Sequence, residues 1–204
     1  YASVKEIVKI LKLTGLLSLL NGSQIVNAST GEVLVEKNLT IESLNKLLSI
    51  FNREKIKFLI NDNSIDYDTP KNYKPDKPIA ICTYGINKDL IKKLENEFSD
   101  IPDIDYHTFP AWESLGGGLG LAITHINATK QHGILEVARI LGINTHEIIG
   151  IGDGYNDFPM MMACGLRVAM GNAVPELKEI ADYICPTVEN DGVADVIERY
   201  ILSS

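Results

Sequence analysis

The second half of the chain constrains the fold most. From Ile126 onward, short apolar runs alternate with segments of helical spacing. Ile134, Val137, Ala138 and Leu141 mark a helix, and Gly142 sits where a C-cap belongs. Residues 148–151 read as a buried strand, 158–163 as a helix stopped by Gly165, and 166–170 as a strand. A helix over 175–181, a strand over 183–185 and a closing helix over 193–201 follow. This alternation predicts a parallel, doubly wound sheet, and such sheets bind ligands beyond the carboxyl ends of their strands. Beyond the strand at 148–151 comes Gly152-Asp153-Gly154-Tyr155-Asn156-Asp157.

The first half has a different texture. Ser3 and Glu6 have capping-box spacing, and Val4, Ile7, Val8 and Leu11 share one helical face. Residues 16–20 read as a short buried strand running into the turn signal Asn21-Gly22. Ile25-Val26 and Val33-Leu34-Val35 flank Thr30-Gly31 like a hairpin. A helix over 41–52 and a strand over 55–60 follow. Residues 61–78 are polar and hold Pro70, Pro75 and Pro78, which predicts a long loop. A strand at 79–83, a helix at 88–98, a strand at 105–109, a turn at 116–118 and a strand at 119–124 complete the region. This order predicts a compact α/β module with a largely antiparallel sheet.

Charge narrows the partners. Nineteen Lys and Arg against 27 Asp and Glu give a net charge of −8. A nucleic-acid backbone or an anionic membrane needs a basic patch, so neither is expected as a partner. Phosphate binding would need a local device such as a metal, a lysine or a helix N-terminus. Three scattered cysteines without a CxxC suggest neither a disulfide framework nor a structural zinc site, and fit a reducing cytoplasm. No signal peptide or membrane span is visible in the sequence.

Asp153, Asn156 and Asp157 share the acidic loop. Mg²⁺ favours such carboxylate and carbonyl oxygens and keeps several waters. Two carboxylates this close repel unless a cation or a lysine lies between them. Gly152 and Gly154 allow close backbone approach. A plain turn with an aspartate N-cap is an equal reading of the loop alone. An EF-hand is excluded, because its glycine position holds Phe158 and its twelfth holds Cys164. Lys130 opens the preceding helix, 23 residues before Asp153, and could neutralise a phosphate as a point charge. Alone it would be read as a surface lysine.

Together these residues are more specific. Lys130, the run 148–157, Met161, Val168-Ala169-Met170-Gly171-Asn172-Ala173, Ala181-Asp182-Tyr183 and Asn190-Asp191-Gly192-Val193-Ala194 closely resemble the C-terminal half of haloacid-dehalogenase-superfamily phosphatases of the Cof-like subclass. The match covers about residues 123–201. The helix, strand and Asn21-Gly22 near the start resemble the family's Asn-Gly substrate loop. The middle module resembles the subclass IIB cap.

The resemblance implies a partial Rossmann-like α/β core with an inserted α/β cap: core at 1–24, cap at 25–124, core at 125–204. It implies a Mg²⁺-dependent phosphatase acting on a small phosphorylated metabolite, such as a sugar phosphate, through an aspartyl-phosphate. Asp153 would bind Mg²⁺. Asn21, Gly22 and Asn156 would contact substrate. Asp157 would orient Lys130 or a metal-bound water, and Lys130 would hold nucleophile and phosphate together. Gln131 stands where the family often has Gly.

The family's Asp-x-Asp-Gly nucleophile motif is absent. Asp66-Tyr67-Asp68 and Asp103-Ile104-Asp105 have the spacing, but neither follows a buried strand or precedes Gly, so both are expected as loop acids. The chain begins at Tyr1. The expectation is a fragment missing the nucleophile segment, inactive alone, that self-associates or pairs with that segment. Two alternatives stand beside it: a non-catalytic metabolite- or metal-binding module, and a phosphomutase of the same superfamily. Met160-Met161-Met162 are expected to fill the core and Cys164 to lie buried without a nucleophilic role, while Trp112 and the four histidines are expected in packing, cap or surface roles.

Overall fold

The computed structural model describes residues 4–62, 65–68, 73–111 and 117–203. Tyr1, Ser3, Trp112 and Gly116 lie outside the described residues. Contacts divide the chain into two compact units, Tyr1–Thr129 and Lys130–Ser204.

The first unit opens with α1 (Lys5–Ile10). Of its predicted apolar face only Val8 is buried, while Ile7 and Leu11 are exposed. Strands β1 (Leu16–Leu19), β2 (Gln24–Asn27) and β3 (Val33–Glu36) form an antiparallel sheet in sequence order. The β2–β3 hairpin closes at Thr30-Gly31 as expected. There the Asn27 side chain accepts the Ser29 and Thr30 N–H groups, an Asx-turn that needs a short side-chain carbonyl.

Helix α2 (Ile41–Glu54) starts on a Thr40 cap whose hydroxyl accepts the Ser43 N–H. It and α3 (Lys88–Phe98), capped by Asn87, pack on a five-stranded antiparallel sheet. The strands are β4 (Phe58–Asp62), β5 (Ile65–Asp68), β6 (Pro78–Ile86), β7 (Ile104–Pro110) and β8 (Leu119–His125), in the order β5-β4-β6-β8-β7. Leu44, Leu47, Phe51, Ile60, Ile81, Leu94, Leu121 and Ile123 form its core. Leu44, Leu47 and Phe51 recur at i, i+3 and i+7 of α2, and Phe58 and Ile60 at period two in β4. Each element therefore delivers its apolar residues to one side.

Two expectations change here. Asp66 and Asp68 lie in β5, an edge strand paired antiparallel with β4, not in a loop. Ile65 and Tyr67 alternate with the two aspartates, which is the period of a strand and which the surrounding prolines hid. Asp105 lies in β7, not in a loop, whereas Asp103 is a loop acid as expected, and its carboxylate accepts the Thr40 and Ser43 hydroxyls and so ties the start of α2 to the entry of β7.

The second unit contains α4 (Lys130–Leu141), β9 (Ile149–Gly152), α5 (Phe158–Ala163), β10 (Leu166–Ala169), α6 (Pro175–Glu179), β11 (Tyr183–Ile184) and α7 (Gly192–Ile197). A wider helical turn, Glu198–Leu202, continues α7. The sheet β11-β10-β9 is parallel, with Val168 opposite Ile151 and Tyr183. Its core is Met161, Val168, Ala169, Leu177, Cys185 and Val196. Gly142 ends α4 at φ +68, a left-handed cap that glycine adopts without strain. Gly165 is required for space: a Cβ there would lie 1.9 Å from the His146 carbonyl oxygen. Among the described residues no helix is long and apolar enough to cross a membrane.

Candidate active site

The site grows from the carboxyl end of β9. Gly152 is the last residue of that strand, and a one-turn helix, Tyr155–Asp157, folds the chain back before α5. This places Asp157 over its own strand end. Its Oδ2 accepts the Asp153 and Gly154 N–H groups, each at 3.0 Å. A Cβ on Gly152 would sit 2.5 Å from the Asp157 Cβ, so the first loop glycine exists to let Asp157 close over the strand end. The close approach expected of Gly152 is therefore made to a side chain of the loop itself.

Lys130 opens α4, and its Nζ donates to Asp157 Oδ1 at 2.5 Å. The Asp157 side chain is 4% exposed and the lysine side chain 37%. Burial works to raise the Asp157 carboxyl. The Lys130 hydrogen bond and the Gly154 and Asp153 N–H groups outweigh it, so its pKa lies below the ordinary carboxylate value. Asp157 is thus a fixed anion with both oxygens engaged.

Asp153 differs from it. It is exposed, and its side-chain partner among the described residues is Asn172, whose Nδ2 lies 3.4 Å from Oδ2. Among the described residues its remaining lone pairs accept no other side-chain hydrogen bond. Among the described residues no three His, Cys, Asp or Glu side chains cluster tightly enough to hold a metal by themselves. One open carboxylate suits a hard cation that keeps most of its waters, so the donor set fits Mg²⁺ through Asp153 and not through Asp157. Asn156 is half-buried in the same turn.

Lys130, Asp153, Asn156 and Asp157 all belong to the Lys130–Ser204 unit. Asn21 and Gly22 belong to the other. There Leu20, Asn21 and Gly22 run through positive φ (49°, 58° and 100°) in the turn between β1 and β2. The Asn21 Oδ1 is buried without a hydrogen-bond partner among the described residues. Asn172 lies in a run that carries the family resemblance, but the sequence alone assigns it no role of its own. Its position in a Gly-Asn pair at the end of β10 is the signal available in the sequence. Cys164 donates to the Met160 carbonyl and burial pushes its thiol up, as expected for a packing residue.

Comparison with known proteins decides the family. The sequence model for haloacid dehalogenase-like hydrolases matches residues 61–197. The chain belongs to this family. A phosphoglycolate phosphatase of Methanothermobacter thermautotrophicus is 33% identical over 84 residues, covering 41% of this chain and 38% of that protein. The structure of a haloacid dehalogenase-like hydrolase from B. subtilis superposes with a TM-score of 0.84 at 17% identity, covering 98% of this chain and 85% of the other. A subclass IIB sugar phosphatase, BT4131, gives a TM-score of 0.75 at 19% identity, covering 95% and 78%. The two solved structures show the α/β fold of this haloacid dehalogenase-like chain, including the capped form named by its resemblance. The matched segments span only 28% and 38% of the first curated relatives.

Proposed function

We propose that this haloacid dehalogenase-like chain is part of a Mg²⁺-dependent phosphatase acting on a small phosphorylated metabolite, with the phosphoryl site at the end of β9. The Lys130–Asp157 pair carries the reading. An ammonium group has three donors, and Asp157 takes one. The other two N–H groups remain for phosphoryl oxygens. Asp157 keeps the ammonium aimed without competing for the phosphate, because both its oxygens are already engaged.

Phosphoryl transfer is mostly positioning and charge stabilisation, and this unit supplies both. Asn156 donates to a phosphoryl oxygen from the turn. Asp153 holds Mg²⁺, which when bound neutralises charge on the transferred group. On the other unit, Asn21 and Gly22 are the proposed substrate-binding residues; the orphaned Asn21 carbonyl and the left-handed turn support that role, since strain collects at ligand sites. The attacking carboxylate is assigned to none of this chain's residues. The division into core at 1–24 and 125–204 with a cap at 25–124, and a cytoplasmic location, belong to the same proposal. A matched relative named for phosphoglycolate and a structural neighbour named for sugar phosphates support small phosphorylated acids and sugars as the substrate range.

Hydrolysis of p-nitrophenyl phosphate, with and without Mg²⁺, tests this on the present chain and on the product of its complete coding sequence. The expected result is Mg²⁺-dependent activity in the latter, lost in Asp153→Ala and Lys130→Ala. Activity that persists in both variants would refute the site. Activity in the 204-residue chain alone would mean that it carries a nucleophile of its own.

A further inference from the structure

Asn172 ties three loops together. The strands β9, β10 and β11 all end on the same side of the parallel sheet, and the loop after each begins there. Backbone bonds already brace neighbouring loops: Met170 N–H donates to the Gly152 carbonyl, Val174 N–H to Asp153 and Gly171 N–H to Pro186. Lys178 Nζ donates to the Gly171 carbonyl at 2.6 Å and pins the middle loop from α6. Asn172 stands on this braced loop. Its Oδ1 accepts the Val188 N–H at 3.1 Å, from the loop after β11. Its Nδ2 faces Asp153 Oδ2 at 3.4 Å, on the loop after β9.

The Val188 bond fixes the amide. With Oδ1 committed to a backbone donor, Nδ2 must point the other way, towards Asp153. The middle loop has no slack: a Cβ on Gly171 would lie 2.8 Å from the Thr187 nitrogen. A carboxylate that is to bind a cation needs its orientation set by a partner outside the coordination sphere, and such partners strongly affect metal affinity. We infer that Asn172 is a positioning residue for Asp153, held by the Val188 N–H, and that the loop after β11 thereby sets the cation affinity of the loop after β9. The inference rests on Asp153 being the cation ligand proposed above.

The test is Mn²⁺-induced broadening of backbone amide signals of the 204-residue chain, followed at Asp153 and Gly154 by nuclear magnetic resonance. Asn172→Ala removes the donor to Asp153. Val188→Pro removes only the anchoring N–H. Val188 is the first residue of a helical turn, where proline is tolerated; Thr187 before it is extended, and Val188 is 62% exposed. The expected result is a rise of about tenfold or more in the Mn²⁺ concentration for half-broadening in Asn172→Ala and of roughly threefold in Val188→Pro. Tm should stay within about 2 °C of the parent in Val188→Pro. Unchanged Mn²⁺ response in both variants, with broadening in the parent, overturns the role of Asn172 and leaves the cation reading of Asp153 standing. No broadening at Asp153 in the parent overturns both. A weakened response in Asn172→Ala with none in Val188→Pro overturns the coupling to the loop after β11.

Discussion

Lys130 and Asp157 are 27 positions apart in sequence and meet at 2.5 Å, with the carboxylate buried and the ammonium partly in solvent. The asymmetry predicts unequal costs for removing either partner. Asp157→Ala removes the acceptor of three hydrogen bonds and leaves the Asp153 and Gly154 N–H groups without it. About 2–4 kcal/mol of stability should be lost. Lys130→Met leaves a buried carboxylate still held by two N–H groups and should cost about 1–2 kcal/mol. Urea denaturation of the two variants checks the order. A larger loss for Lys130→Met would mean that the ion pair, not the loop closure, is the main support.

The same carboxylate gives a pH dependence of known sign. Its folded pKa lies below the unfolded one, with burial opposing and Lys130 and the two N–H groups prevailing. Its contribution to stability is therefore full above the unfolded carboxylate value of about 3.9 and is lost as pH falls through the lower folded value. Asp157→Asn should flatten this part of the acid-unfolding curve. In Lys130→Met the largest opposing group is gone, burial gains weight, and the Asp157 titration should move up. Carboxyl ¹³C titration reads this directly, and a downward or absent move would show that Lys130 does not hold the charge.

Gly152 and Gly154 flank Asp153 but differ in what they permit. A methyl group at 152 meets the Asp157 Cβ at 2.5 Å and Cγ at 2.9 Å. Neither atom can yield without breaking the loop's hydrogen bonds. Gly152→Ala should cost about 1–3 kcal/mol and disturb the Lys130–Asp157 contact. At Gly154 the nearest atom is the end of the Asn156 side chain, 3.1 Å away, and φ is −120°, open to any residue. Gly154→Ala should change stability by less than about 0.5 kcal/mol. Thermal melts of the pair distinguish a glycine needed for space from one that is not.

These contrasts explain what could be read from the sequence. The parallel sheet was legible because 148–151 and 166–169 are short apolar runs separated by a helix-length segment, a pattern few folds satisfy. Helix α3 was legible to the residue, since Asn87 caps it and Ile91, Leu94 and Phe98 keep helical spacing. Strand β5 was not: four residues among prolines and aspartates carry too little apolar signal, and only pairing with β4 makes them a strand. At the site, Asp157 and Lys130 were legible as candidates. Which of the two aspartates is free to bind a cation depends on loop hydrogen bonds that spacing does not encode. Asn172 was visible in the resemblance motif but its role was not, because its partners at 153 and 188 are brought together only by the sheet.

Arg167 and Asp182 form an ion pair on the surface of the same unit. Two guanidinium nitrogens and the Arg167 backbone N–H all donate to the Asp182 carboxylate. The Arg167 side-chain bond, then its backbone bond, hold that carboxyl down at about 2. Arg167→Met keeps the backbone N–H and removes the guanidinium, so the Asp182 titration should return part of the way towards about 3.9. Stability near neutral pH should hardly change, because exposed ion pairs contribute little. A ¹³C titration that stays near 2 in the variant would show that the backbone bond alone sets it.

The three consecutive methionines of α5 carry the last contrast. All three are expected in the core from the sequence, but only Met161 is fully buried, among Val168, Leu177 and Val196, whereas Met162 is 59% exposed. The helix turns successive residues by about 100°, so neighbours in a uniform run cannot share one environment. Met161→Ala should leave a cavity under the parallel sheet and cost about 2–5 kcal/mol. Met162→Ala should stay within about 0.5 kcal/mol of the parent. Because α5 follows directly on Asp157, the Met161 cavity should also loosen the turn that carries the acidic loop. Hydrogen exchange at the Asp153 and Gly154 amides, both bonded to Asp157, should therefore accelerate in Met161→Ala and not in Met162→Ala. Equal exchange in the two variants would show that the loop is held by Lys130 and the strand end alone, independent of the core beneath it.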